Sequence, residues 1–155
     1  MAEHVKPVII RTHLSLYVRD PEISANWFAD VLDMKVTARG PQWVFLSFGR
    51  KHHDIALIRA DPGAEPGNIG LQHYGLEIEG DLDELRRLYA MLLDKGVTVV
   101  KTTDHKIGYG LYFLDPDGNR FEFFSESIAD DAEGQRILGE HHAPSNPIDL
   151  EPLYS

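Results

Sequence analysis

The sequence contains no cysteine, which excludes disulfide bonds, thiolate metal sites and cysteine nucleophiles. Any bound metal must therefore be held by histidine, aspartate or glutamate side chains. Long hydrophobic runs are also missing, since no stretch approaches the ~18 apolar residues that a membrane span needs. The opening MAEHVKPVII is too polar for a signal peptide, and we expect a cytoplasmic protein.

Positive charge is scarce as well. The 155 residues include 15 Lys and Arg against 25 Asp and Glu, which gives a formal net charge of -10. The basic residues are scattered along the chain, and this balance opposes binding to phosphate backbones and anionic lipid surfaces. We therefore expect neither nucleic acid nor a membrane as a partner. The chain length suits one ordinary domain with a sizeable core.

Two stretches of the sequence resemble each other. RTHLSLYVRD (11–20) and LQHYGLEIEG (71–80) each open an alternating strand with a histidine. Because alternate residues of a strand share a face, His13 and His73 both fall on the less apolar face of their strands. The repeated offset of the two histidines indicates a duplicated structural unit.

Each of these strands leads into a helix signal. Asp20 before Pro21 suits an N-cap followed by the first helical position, and Asp81 with Glu84 resembles a capping box. Gly96 is placed to end the second helix in the left-handed conformation. Short strand-like runs follow both helices, so the pattern predicts β-α-β-β-β twice.

These elements predict an α+β fold in a single domain, 1–155. The first module covers about 8–59, a Pro- and Gly-rich linker covers 60–70, and the second module covers about 71–127. The tail at 128–155 lacks a strand signal, and we expect it to wrap the surface or a neighbouring subunit. One such module leaves a sheet face uncovered, so two should pair as a curved mixed sheet around a central metal-binding cup, helices outside.

Glu122 is the residue that the strand pattern leaves unexplained, because it lies between phenylalanines in RFEFFSE. If DPDGN (115–119) forms a five-residue turn, Tyr112 pairs directly with Glu122 and both point to one face. Phe113, Phe121 and Phe123 then pack on the other face. A buried carboxylate is costly unless a cation or hydrogen-bond donors meet it, so a metal explains Glu122 better than packing does.

His13, His73 and Glu122 together match the facial triad of non-haem Fe(II) oxygenases, which leaves coordination positions for substrate and dioxygen. The alternative interpretation makes both histidines ordinary hydrogen-bonded residues and Glu122 a partner of Arg120 on a solvated edge. Recurrence of the histidines in two similar modules favours the metal site.

With these residues the sequence resembles the vicinal-oxygen-chelate superfamily (glyoxalase, bleomycin resistance, dioxygenase). Within it, the chain is most similar to small one-domain type I extradiol catechol dioxygenases over residues 8 to about 126. The resemblance rests on the triad, on YFLDPDGNRFEF with Tyr112 before the glutamate, on KHHDIALI with His53, and on TDHKIGYGLY with His105. It implies Fe(II), with Mn(II) as a variant, and O2 as co-substrate. The implied metal ligands are His13, His73 and Glu122.

The resemblance also implies catalytic roles. Tyr112 would donate to a substrate oxygen, His105 would hold the catecholate, and His53 would stabilise the bound oxygen species and move a proton.

Strand alternation from Ala56 favours His52 for the inward position, whereas the resemblance favours His53. The alternatives are a solvated histidine pair at 52 and 53, and a loop histidine at 105 that caps a backbone carbonyl. Candidates for an apolar shell around the ring are Phe45, Leu46, Ile107 and Phe124.

The implied function is extradiol ring cleavage of a small-molecule catechol, whose ring type and cleaved bond the residues leave open. Well-known members have four modules where this chain has two, so we expect a homo-oligomer. Two alternatives share the fold. A fosfomycin-type transferase would use the same triad, and a metal-free protein that sequesters a small molecule would not need the three ligands together.

Overall fold

The computed structural model describes residues 6, 8–65 and 71–155. Between residues 65 and 66 the chain divides into two compact units. This point falls inside the predicted linker, whose residues 66–70 lie outside the described part. The first five residues, on which the absence of a signal peptide was argued, lie outside it as well.

The first unit has the predicted order β-α-β-β-β. Its elements are β1 (Leu14–Val18), α1 (Pro21–Leu32), β2 (Lys35–Gly40), β3 (Trp43–Ser47) and β4 (Ile55–Arg59). They form a four-stranded sheet in the order β1-β4-β3-β2, in which β1 runs parallel to β4 and the other pairs are antiparallel. The order of the first predicted module is therefore confirmed.

Local chemistry explains both the start of α1 and the face that it buries. The Asp20 carboxylate accepts the backbone N–H of Glu22 at 3.0 Å, and Pro21 occupies the first turn, as predicted. The helix packs on β2, β3 and β4 with Phe28 fully buried.

Along β1 the side chains alternate, so that Leu16 and Val18 are buried while their neighbours Ser15 and Tyr17 are exposed.

The second unit repeats this order and adds a C-terminal extension. Its elements are β5 (Tyr74–Glu77), α2 (Leu82–Asp94), β6 (Val99–Asp104), β7 (Gly108–Leu114), β8 (Arg120–Glu126), α3 (Asp131–Glu140) and β9 (Asn146–Pro147). The sheet order is β5-β8-β7-β6-β9, with β5 parallel to β8. Asp81 caps α2, and Gly96 adopts a φ of 69° just after it, as predicted. The α+β class is confirmed, with two mixed sheets.

The tail at 128–155, which lacks a strand signal in the sequence, contains a helix and a short strand. Asp130 accepts the N–H of Glu133 and starts α3, while β9 pairs with β6 through Thr103 and Pro147. No residue of α3 is buried, and sequence reasoning missed the helix although Asp130 with Glu133 has the spacing of a capping box. No helix in the described ranges is long and apolar enough to cross a bilayer.

The turn between β7 and β8 sets the register of the second sheet. Asp115, which is 5% exposed, accepts the backbone N–H groups of Asp117 at 3.0 Å and Asn119 at 2.7 Å, and the Asn119 side-chain amide at 2.9 Å. Burial raises the pKa of the Asp115 carboxyl, and the bonds from Asn119 oppose this. The resulting five-residue turn pairs Tyr112 with Glu122, as predicted.

The two faces of β8 have different surroundings. Phe121 and Phe123 are buried with Phe113, in contact across the strand pair, on the side where α2 packs. Glu122 and Tyr112 point to the opposite face, because alternate residues of a strand change sides. Even there Glu122 is only 7% exposed, which excludes the solvated edge considered above.

Asp115→Ala should lower the free energy of unfolding by about 1–3 kcal/mol, because it removes the acceptor of three hydrogen bonds in a partly buried turn. Urea denaturation followed by circular dichroism measures this loss. Asp61→Ala, the same change at an exposed loop position, serves as the control. Equal stability of the two variants would show that the Asp115 carboxylate does not hold the turn.

Candidate metal and substrate site

Glu122 lies between two histidines in the second unit. Its Oε1 atom is 3.5 Å from His73 Nε2, and its Oε2 atom is 3.4 Å from His105 Nε2. Gly110 on the adjacent strand β7 makes room for this carboxylate, since a Cβ there would clash with Oε2 and lie 2.8 Å from Thr103 Oγ1. Sequence reasoning missed Gly110, although a glycine inside a strand is a signal of close approach.

The His73 ring is oriented by its neighbour in sequence. Its Nδ1 atom bonds to Oε1 of Gln72, and with the amide in this orientation Nδ1 donates to the oxygen. The opposite nitrogen, Nε2, is then bare when the ring is neutral, and it faces a carboxylate oxygen. Two acceptors in this arrangement need a proton or a cation between them. In metal-binding histidines, the ring nitrogen that does not face the metal typically donates to a nearby acceptor, as Nδ1 does here to Gln72.

His105 shows a similar division between its two nitrogens. Nδ1 donates to the backbone carbonyl of Pro144 at 2.8 Å, so this loop histidine does cap a carbonyl. Nε2 lies 3.0 Å from the Tyr112 hydroxyl and 2.8 Å from Thr103 Oγ1. The buried Thr103 was also missed from the sequence. The structure thus brings together four of the predicted site residues, His73, His105, Tyr112 and Glu122.

Tyr112 is held in its neutral form. Burial raises the pKa of the phenol, and the hydrogen bond and negative charge of Glu122 raise it further. A neutral phenol keeps its hydrogen at physiological pH and can donate it to an oxygen atom.

These four side chains form the polar end of a cavity of about 510 Å³ in the second unit. Its apolar walls include Ile107, Phe124, Leu138, Ala143 and Pro144. The first two were predicted as part of an apolar shell, and the last three belong to α3 and the segment that follows it.

Leu46 and Phe45, the other two shell candidates, lie in the first unit. The prediction for Leu46 is wrong, because the side chain is fully buried in that unit's core. Phe45 stacks on His53, with ring centroids 4.7 Å apart and an interplanar angle of 25°.

The first unit brings His53 next to His13, with ring centroids 5.0 Å apart. His53 is half-buried, while His52 is exposed and its Nδ1 lies 2.7 Å from Nδ1 of His53. One of these two nitrogens must carry a hydrogen and the other must accept it. Burial lowers the pKa of His53, and the neighbouring His52, His13 and Arg11 lower it further.

Comparison with known proteins now decides the family. Residues 10–123 match the model of the Glyoxalase/Bleomycin resistance protein/Dioxygenase superfamily. The chain belongs to this superfamily. The resemblance read from its motifs is thereby confirmed at the level of the superfamily.

Relatives within the superfamily have different activities. The chain is 28% identical over 138 residues to biphenyl-2,3-diol 1,2-dioxygenase 2 of Rhodococcus globerulus, covering 88% of this chain and 73% of that protein. It is 29% identical over 118 residues to glutathione transferase FosA of Serratia marcescens, covering 76% and 81%. The crystal structure of a glyoxylase/bleomycin resistance protein/dioxygenase domain from Frankia sp. EAN1pec is similar with a TM-score of 0.63, 27% identity and coverage of 77% and 99%.

The complete ligand set of this superfamily member stays a prediction. His13 belongs to the first unit, whereas His73 and Glu122 belong to the second. Within residues 6, 8–65 and 71–155, no group of three or more His, Asp or Glu side chains is arranged to hold a metal ion. The structure does place Nε2 of His73 3.5 Å from a buried carboxylate oxygen of Glu122.

His53 should titrate below pH 6.5 in the metal-free protein, because burial and nearby cationic groups disfavour its charged form. His52→Gln should raise this midpoint by removing one cationic neighbour, while burial keeps it below the ordinary value. Proton NMR of the His53 ring measures the midpoint. His141→Gln, at an exposed position after α3, should leave it unchanged. A midpoint above 6.5 would contradict the stated environment.

Proposed function

We propose that this protein is an extradiol ring-cleaving dioxygenase, which inserts both atoms of O2 into a catechol at a non-haem Fe(II) centre. The proposed ligands are His13, His73 and Glu122, and Mn(II) is the alternative metal. One observation carries the proposal. The buried Glu122 carboxylate faces the Nε2 atoms of His73 and His105 in one cavity, with a neutral phenol beside it.

The donor set suits the metal. Two imidazoles and a carboxylate are the ligands that non-haem Fe(II) oxygenases use, and the outer bond from Gln72 to His73 fits a metal-binding histidine. A bound Fe(II) would supply open coordination positions for a catechol and O2 and would lower the pKa of the catechol hydroxyls. The cavity volume of about 510 Å³ is in the usual range for small-molecule sites.

The chain's own residues can be given distinct tasks. Tyr112 donates its phenolic hydrogen to one substrate oxygen, and Nε2 of His105 accepts the proton of a catechol hydroxyl. His53, whose lowered pKa favours its neutral form, would take up one proton and return it within the same turnover. Ile107 and Phe124 pack against the ring and exclude water from it.

The charges that line the cavity favour a neutral catechol. Glu122 and Glu126 both line it, and its described lining residues include no lysine or arginine. Burial raises the pKa of Glu126, and the acidic neighbours Glu77 and Asp131 raise it further. A carboxylate on the substrate ring that lies beside Glu126, away from the metal, would meet a carboxyl group there, which costs binding energy when both are ionised.

A glutathione transferase acting on fosfomycin is the second candidate, supported by the similarity to the FosA protein. Fosfomycin carries an anionic phosphonate, which a metal cation held by the same three residues would attract, so charge does not separate the two candidates. The matched biphenyl-2,3-diol dioxygenase acts, by its name, on a diol. The apolar walls formed by Ile107 and Phe124 suit an aromatic ring, and this supports the dioxygenase.

The protein loaded anaerobically with Fe(II) should consume O2 and form a yellow product when it is given catechol, 3-methylcatechol or 2,3-dihydroxybiphenyl. Oxygen-electrode and absorbance measurements give kcat/KM for each compound. We expect values about tenfold or more above that for 2,3-dihydroxybenzoate, because like charges repel.

Glu126→Gln should narrow the difference in kcat/KM between the neutral catechols and 2,3-dihydroxybenzoate, and Glu122→Gln should abolish turnover. Absence of O2 uptake with every catechol would refute the dioxygenase, and conjugation of glutathione to fosfomycin would establish the transferase.

Gly110→Ala should weaken Fe(II) or Mn(II) binding by about tenfold or more, because the new methyl group displaces the Glu122 carboxylate. Isothermal titration with Mn(II) measures this loss without any turnover. Gly134→Ala is the matched control, since a Cβ at that helical position meets nothing within 4 Å. Unchanged affinity in Gly110→Ala would mean that Glu122 does not bind the metal.

A further inference from the structure

The C-terminal strap, defined here as residues 141–155, is fastened along the second unit. β9 pairs with β6, and Thr102 Oγ1 donates to the Ile148 carbonyl at 2.6 Å. Farther along, Arg86 Nε on α2 donates to the Glu151 carbonyl at 2.9 Å, and the Leu153 N–H donates back to the Arg86 carbonyl at 3.0 Å. The strap is therefore held by two elements of its own unit.

At its beginning the strap turns sharply into the site. His142 and Ala143 have φ values of 56° and 50°, a left-handed conformation that is uncommon for residues other than glycine. The Ala143 N–H bonds to the carbonyl of Leu138 at 2.8 Å, which ties this turn to the end of α3. The turn carries Pro144 to the cavity wall, where its carbonyl accepts from His105 Nδ1 at 2.8 Å.

We propose that the Pro144 carbonyl is a positioning group that holds His105 in the tautomer protonated on Nδ1. A carbonyl oxygen can only accept, so the opposite tautomer would set two lone pairs against each other at this contact. The bond thereby leaves Nε2 bare and directed at the Tyr112 hydroxyl. The proposal rests on the proposed function for its catalytic meaning, since a bare Nε2 is the form that accepts a substrate proton.

The hydrogen bond to the Pro144 carbonyl fixes both the position and the tautomer of the His105 ring. Thr103 Oγ1 or the Tyr112 hydroxyl can donate to a bare Nε2, which also lies 3.4 Å from Glu122 Oε2, and the carbonyl secures the other end of the ring. Contacts at both nitrogens define the plane of the imidazole. The strap is thus a part of the site itself, in addition to closing one wall of the cavity.

The tautomer of His105 can be measured directly in the full-length, metal-free protein. Long-range 15N–1H NMR distinguishes a protonated ring nitrogen from a bare one, and alkaline buffer keeps imidazoles neutral. The His105 signals are assigned from the spectrum of His105→Gln. We expect Nδ1 to be protonated and Nε2 to be bare.

A single-atom change tests the strap. Replacing Ser145 by its α-hydroxy acid turns the Pro144–Ser145 amide into an ester, which weakens this one carbonyl acceptor without cutting the chain. We expect the Nε2-protonated form to become detectable, and in the iron-loaded protein kcat should fall while KM for the catechol changes little. The matched control is the same replacement at Ala129, before α3.

The NMR results test the role of the Pro144 carbonyl separately from the dioxygenase activity. Protonation on Nε2 in the unmodified protein, or an unchanged tautomer in the Ser145 ester, overturns the proposal. Because the tautomer is read without metal or substrate, a failure of the oxygenase assay affects the proposed function and leaves this result standing.

Discussion

A buried carboxylate and the groups that surround it organise the second unit. Glu122 is 7% exposed, and its two oxygens face His73 and His105. An ionised carboxylate at such depth is stable only if donors or a cation meet it. Gly110 leaves room for it, since a side chain at that position would displace it or the neighbouring Thr103. The arrangement of donors and space around one charge is the physical basis of the proposed metal site.

The position of this carboxylate depends on a turn several residues away. Asp115 closes the five-residue turn by accepting three N–H groups, and that turn length places Tyr112 directly opposite Glu122. A shift of one residue would exchange the two faces of β8 and send the carboxylate towards the phenylalanine core. Turn chemistry and site chemistry are therefore linked through the register of a single strand pair.

Membership of the superfamily establishes the fold but leaves the reaction open, because its members include named dioxygenases and a named glutathione transferase. The reaction must be argued from the site. Its neutral phenol, the histidine that faces a buried carboxylate and its apolar walls support the proposed catechol substrate. The strap adds a feature that family membership does not supply, since Pro144 bonds a site histidine through its backbone.

The sequence by itself determined the features that arise from neighbours along the chain. Helix caps at Asp20 and Asp81, strand alternation and the turn length each depend on a few adjacent residues, so they could be predicted, as could the facing pair of Tyr112 and Glu122. Tertiary structure alone decided that His53 rather than His52 packs against His13, and that Pro144 reaches His105. It also placed Leu138 of α3 in the cavity wall, although no residue of this helix is buried. These contacts join residues far apart in the chain, and no local pattern encodes which distant carbonyl or ring will meet a given side chain.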